Sequence, residues 1–182
     1  MTAVVVALAG GCAGHDQRAT VPSRAENVDQ QRLDAVAGGG GAIKPYALRA
    51  GEGYRMPQLQ TAPPPVLGGR DPRVALPPTT ICLQLVVDAE GIVQRSLPLT
   101  DRSDCQAGAA AENAVLLQAA GEAVAAWRFR PAAVCHFAAG TVPRDPGDCS
   151  TAERIEPTPV SLLYAFTFEI VQGRSSVRSH TR

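Results

Sequence analysis

Five cysteines and three histidines are the side chains of this 182-residue chain with the widest chemical reach. Cys135 and His136 are adjacent, and Cys149 follows in the same polar stretch. Two thiolates and an imidazole could hold zinc, but the second paired-ligand motif that such a site needs is missing. His15 and His180 lie near the two ends, which leaves His136 as the one candidate general base, beside a thiol that a disulfide would remove as a nucleophile. The acids are scattered: Asp88 sits in a turn-like stretch, and Asp101 and Asp104 in a loop-like one. No Gly-rich phosphate loop and no nucleophile elbow is present. The expectation is a protein that is not an enzyme, with no metal and no cofactor.

Charge and composition bound the partners. Seventeen basic and 17 acidic residues give a formal net charge of +0, whereas a nucleic-acid binder would show a basic face or stripe. The basic residues from Arg174 to Arg182 read as a solvated tail. Seventeen Gly and 15 Pro, against 4% aromatic residues, sit mostly before residue 80. Such stretches bury too little apolar surface to offset the entropy of ordering them. Residues 12–75 therefore read as a Gly/Pro-rich tether, 76–172 as the folded domain, and 173–182 as a disordered tail. Tyr46, Tyr54 and Met56 to Leu59 are the tether residues best suited to pack back on the domain.

Ala3 to Gly11 is apolar, too short to span a bilayer, and reads as a signal peptide over residues 1–11. Leu8-Ala9-Gly10-Gly11-Cys12 resembles the bacterial lipobox, which implies lipidation at Cys12. An ordinary cleaved signal or a shortened anchor helix is the alternative. With Ala13 rather than Asp after the cysteine, the resemblance implies an anchor in the outer rather than the inner membrane, facing the periplasm. Export makes disulfides the expected fate of Cys82, Cys105, Cys135 and Cys149. Four cysteines allow three connectivities. Closeness in sequence favours Cys135–Cys149 with Cys82–Cys105. The first would close a loop of about 15 residues, worth about 3 kcal/mol in the chain-entropy model.

Within the folded part, Ile81, Leu83, Leu85 and Val87 alternate with Cys82, Gln84 and Val86, the period of a strand with one face on a core. Asp88-Ala89-Glu90-Gly91 predicts a hairpin turn with Gly91 at positive φ. A second strand is expected from Ile92 to Leu99, with Val93, Leu97 and Leu99 on one side and Pro98 marking an edge. Ala109 to Ala126 predicts a helix whose buried stripe is Leu116, Ala120, Ala123, Val124 and Trp127, ended by Pro131. Ala133 to Pro157 reads as a polar loop stapled by its cysteines. A final strand over Pro159 to Val171 puts Val160, Leu162, Tyr164, Phe166, Phe168 and Ile170 on one face. The order β-β-α-β predicts an α+β domain, one helix on a three-stranded antiparallel sheet. Trp127 and Phe129 are expected in the core, with Arg128 and Arg130 solvated.

Two motifs carry a further resemblance. Leu83 to Val93 leads through Val87-Asp88, two residues and Gly91 into a second strand, and Trp127-Arg128-Phe129-Arg130-Pro131-Ala132 closes the helix. Together with the element order, residues 76–172 resemble the C-terminal domain of the TonB family, with Asp88, Gly91, Trp127, Phe129 and Pro131 matching its motifs. The resemblance implies an envelope protein related to the energy transducers of transport. Its partner would be an envelope protein such as a TonB-dependent outer-membrane transporter, engaged by strand addition at a sheet edge. The closing strand from Val160 to Ile170 is the candidate edge, which a homodimer or the tether would also cover. The chain departs from the family in four ways. It has no full membrane helix and no spacer of Pro alternating with Glu or Lys. Leu76-Pro77-Pro78 replaces a Tyr-Pro entry, and the loop between Cys135 and Cys149 is longer. A structural docking lipoprotein of a larger envelope assembly is the alternative role.

Overall fold

The computed structural model describes residues 17–33, 47–141 and 143–179, with side chains described over 24–33, 47–141 and 143–172. The leader (residues 1–11) and Cys12 lie outside the described residues. Strands β1 (Gln17–Leu33), β2 (Glu52–Arg55) and β3 (Gln58–Thr61) precede the hairpin β4 (Leu76–Val87) and β5 (Val93–Leu99). Helix α1 (Ala114–Ala125), β6 (Arg128–Arg130), β7 (Ala133–His136), β8 (Arg154–Pro157) and β9 (Val160–Ser179) follow. The architecture is α+β: one α-helix and antiparallel sheets ordered β1-β9-β4-β5, β2-β7-β8 and β3-β6. Among the described residues no helix is long and apolar enough to cross a membrane.

The alternating pattern of β4 acts as its period requires. Ile81, Leu83, Leu85 and Val87 are buried under α1, as are Phe166, Tyr164 and Leu162 opposite them on β9. The helix contributes Leu116, Ala119, Ala120, Ala123 and Val124, so its small residues bring it close to the sheet. Pro77 and Pro78, which have no N–H to donate, fall where the β4–β9 register shifts between Leu76 and Thr79. Pro98 lies on β5, an edge strand, as its missing donor requires.

Several expectations are corrected. The expected inward residue Leu97 is 41% exposed. Val87 pairs with Val93 but Val86 with Arg95, so Gln94 is an extra residue that flips the side-chain parity of the rest of β5. Ser96 consequently faces the helix, close to Gly121. The helix begins at Ala114, not Ala109, after 3-10 turns over Ser103–Ala109 and Ala111–Asn113. The stretch expected to be one polar loop contains β7 and β8, which pair with each other. The main sheet has four strands rather than three, because β1 lies within the expected tether. Likewise β2 pairs with β7 and β3 with β6, and residues 173–179 of the expected disordered tail continue β9 against β1. Composition misses β3 because main-chain pairing, more than side-chain burial, orders it, and residues 58–61 are all exposed.

A polar cluster clips the pre-domain chain to the core. The buried Asp71 carboxylate accepts from Arg73 through both oxygens, at 2.9 Å from Nε and 2.5 Å from Nη2. Arg73 also donates to Asn113 Oδ1 at 2.9 Å, and Asn113 Nδ2 donates to the Ala107 carbonyl at 2.9 Å. Arg24 of β1 donates to the Asp71 carbonyl at 3.0 Å. Hydrogen bonding from Arg73 holds the Asp71 carboxyl below the usual range, outweighing the opposing effect of burial. A carboxyl whose pKa falls on folding stabilises the fold above its unfolded value of about 3.9, and that contribution is lost as pH falls through the depressed folded value. Asp71→Asn is therefore expected to cost about 2 kcal/mol at neutral pH in urea melts. The gap to wild type should shrink as pH falls below the unfolded value, and an equal gap at neutral and strongly acid pH would refute the assignment.

Candidate functional site

The two sequence motifs meet in space. Gly91 has φ +84°, and its carbonyl accepts the Phe129 amide at 2.9 Å. Ile92 bridges to Arg128, so the hairpin turn is joined to the strand leaving the helix. A Cβ on Gly91 would collide with the Phe129 carbonyl. Asp88 caps this turn: Oδ1 accepts the amides of Glu90 at 3.0 Å and Ile92 at 2.8 Å, and Oδ2 accepts from the Gln94 side chain. Burial pushes the Asp88 carboxyl up, but the amides of Ile92, Glu90 and Gly91 and the Gln94 side chain together bring it below its ordinary value.

Trp127 lies at the centre of the same corner, fully buried. It meets Tyr164 edge-on with centroids 4.9 Å apart, Phe166 at 5.8 Å and Phe129 at 6.3 Å. Its indole N–H donates to the Pro63 carbonyl at 3.0 Å, so the ring is buried with its polar atom satisfied. Phe129 is 3% exposed, and Pro131 follows β6, with its carbonyl accepting weakly from Arg55 at 3.4 Å. Arg128 and Arg130 are exposed.

The closing strand is placed differently from expectation. Leu162, Tyr164, Phe166, Phe168 and Ile170 are buried and Val160 is half-buried, all on the helix-facing side. Yet β9 is not an edge: β4 pairs with it along one side and β1 along the other, from Leu33 opposite Leu163 to Gln17 opposite Ser179. Among the described side chains of β1, Val28 and Leu33 pack against apolar clusters. Arg24 and Glu26 form an ion pair at 2.5 Å, and Glu26 accepts the Gly68 amide at 3.2 Å. Asn27 donates across the ladder to Glu169 at 3.0 Å. The pattern of β9 predicted its buried face, but no apolar period in residues 17–33 announced the strand beside it.

Both expected cysteine pairs stand at disulfide distance. Cα atoms are 5.3 Å apart for Cys82 and Cys105 and 5.4 Å apart for Cys135 and Cys149. The first pair ties β4 to the 3-10 turn before the helix. The second ties β7 to a short turn before β8, where Phe137 packs on both sulfurs' residues. His136 Nε2 lies 3.1 Å from Glu156 and 2.8 Å from Arg154, and Nδ1 lies 3.5 Å from Glu52. This imidazole lies among Glu156, Arg154 and Glu52 on the small sheet, and Arg154 pairs with Glu156 at 2.7 Å. Among the described residues no group of three or more His, Cys, Asp or Glu is placed to hold a metal ion. No protein-family model matches the chain, and neither does any curated protein or solved structure.

Two stability measurements test this reading of the site. Gly91→Ala is expected to cost about 3 kcal/mol, combining positive φ with the carbonyl clash. Gly140→Ala is the control: Gly140 also has positive φ but nothing within 4 Å of an added Cβ, so about 1 kcal/mol is expected. Equal losses would mean that the turn does not press on Phe129. The Cys82–Cys105 pair has a sequence separation of 23. Replacing both cysteines with serine should cost about 3 kcal/mol relative to the oxidised chain. Detection of all four thiols by alkylation of the unfolded, unreduced protein would rule out both bridges.

Proposed function

We propose that this chain is a non-enzymatic docking module of the bacterial cell envelope, of the TonB C-terminal-like kind, anchored through a lipidated Cys12 and facing the periplasm. Its partner is an envelope protein, and a TonB-dependent outer-membrane transporter is the class that the motif resemblance names. The link to energy transduction and transport comes from that resemblance. The observation that carries the reading is the long antiparallel pairing of β9 with β1, a strand contributed from outside the β-β-α-β unit. A strand surface that accepts one segment mainly through its main chain can accept another, which is how strand addition works. The buried side chains from Leu162 to Ile170 hold β9 rigid against the core while its outer main-chain groups do the pairing.

In this reading β1 occupies the receptor edge and a partner strand replaces it. The filled edge also gives weight to a second reading, a structural lipoprotein that docks into a larger envelope assembly through its other surfaces. The two differ in what happens at β9. Peptides from the N-termini of outer-membrane transporters, titrated into the full chain, should shift the amide resonances of residues 160–171. Val28→Pro removes a core contact from β1 and imposes a φ that an extended strand does not favour. It should tighten peptide binding by about tenfold, because less of the protein is held in the closed form. If neither the wild-type chain nor Val28→Pro binds any such peptide, strand exchange at β9 is refuted and the docking lipoprotein is favoured.

A further inference from the structure

A cleft of about 320 Å³ opens where β2, β3 and β6 meet the loop before β8. Arg55, Gln58 and Arg130 line one side, and Asp145, Asp148 and Ser150 are on the other. Gln58 and Arg130 are partners across the β3–β6 ladder, and the Arg55 guanidinium reaches the Pro131 carbonyl at 3.4 Å, beside Arg130. Two guanidinium groups thus share one concave surface. Among the described residues neither forms an ion pair with a carboxylate. Arg55 Nε is buried with no hydrogen-bond partner. Burial first, and then the charge of Arg130, draw the Arg55 guanidinium below its ordinary pKa. Two guanidinium charges on one concave surface repel each other, and a bound oxyanion relieves that repulsion.

The acids on the far wall decide which oxyanion. The Asp145 carboxylate accepts the Gly147 amide at 2.8 Å and Asp148 accepts the Ser150 amide at 2.9 Å. Loop amides hold both carboxylates, and hydrogen bonding from Ser150 keeps the Asp148 carboxyl below its ordinary value. A multiply charged phosphate would be repelled by them, while a cation next to a single negative charge would be attracted.

We propose that this cleft binds a peptide carboxylate with a basic group beside it, the carboxylate between Arg55 and Arg130 and the cation toward Asp145 and Asp148. The site is separate from β9 and does not depend on strand exchange there. Ile155, 44% exposed at the same rim, gives apolar contact to the adjoining chain of the ligand. Arginine forks bind carboxylates through two parallel hydrogen bonds, so the site should discriminate sharply between an acid and its amide.

The test uses the full oxidised chain and a lysine-terminated tripeptide with a free C-terminal carboxylate, followed by calorimetry and by resonance shifts at Arg55 and Arg130. Saturable binding is expected, weakened at least about tenfold by amidation of the carboxylate and by Arg130→Gln, since a charge-assisted pair is lost. Arg130 is exposed, so its replacement should leave the thermal melt unchanged. Asp148→Asn should weaken the lysine peptide but not one ending in alanine. Inorganic phosphate binding as tightly as the peptide, equal binding of acid and amide, or no saturable binding would each overturn the proposal.

Discussion

The main-chain hydrogen bonds of β9 are the constraint on which the rest of the structure depends. One face of this strand is buried in the core, so its position is fixed by packing. Once fixed, its N–H and C=O groups on both sides need partners. The hairpin strand β4 satisfies one side and β1 the other, far beyond the end of the β4 ladder. A β-β-α-β unit alone would leave that second side open. Such an open edge is a template for pairing with another chain. In this structure β1 covers that edge.

Around that strand, one aromatic corner ties together segments distant in sequence. Trp127 receives Tyr164 and Phe166 from β9 and hands its N–H to Pro63 of the pre-domain chain. Phe129, two residues on, carries the amide that pairs with Gly91. The two motifs are thus the two sides of one joint, in which a left-handed turn approaches a strand too closely for any side chain at Gly91. This joint gives a structural reason for Asp88, Gly91, Trp127 and Phe129 without assigning any of them to a partner. In the proposed docking role these residues act through rigidity rather than through contact.

What was legible in the sequence follows from how each element is held. Strand β4, the buried face of β9 and the stripe of α1 are held by apolar burial, which leaves a period in the sequence, and all three were readable. Both cysteine pairs expected from export and closeness in sequence stand at disulfide distance. Strands β1, β2 and β3 were not. They pair antiparallel with β9, β7 and β6, while residues 58–61 are exposed throughout and, among the described side chains of β1, Val28 and Leu33 reach the apolar clusters. Main-chain pairing has no residue signature. Leu97 failed for a different reason, since one inserted residue at Gln94 reverses every later side chain of β5. The Arg55–Arg130 cleft was invisible because Arg55 and Gln58 come from strands that the composition assigned to a tether, and Asp145 to Ile155 from a stretch read as a polar loop.

The same property that hid β1 bears on its exchangeability. A strand held by a large apolar face leaves slowly, since its departure exposes that face to water. Among the described side chains of β1, Val28 and Leu33 are what would be exposed in that way, and most of the others are already in solvent. Against this stand the Arg24 bond to the Asp71 carbonyl and the Glu26 bond to the Gly68 amide, which fasten the middle of β1 to the segment before β4. The Gly68 amide is exposed and water can replace its bond at small net cost, whereas Asp71 is buried and its carbonyl holds Arg24 more firmly. The proposed strand exchange rests on that balance, a strand registered closely enough to fill the edge yet with few described apolar contacts to lose to a competitor. The ladder to β9 fixes where any such competitor must lie, because its direction and register are set by the backbone of β9.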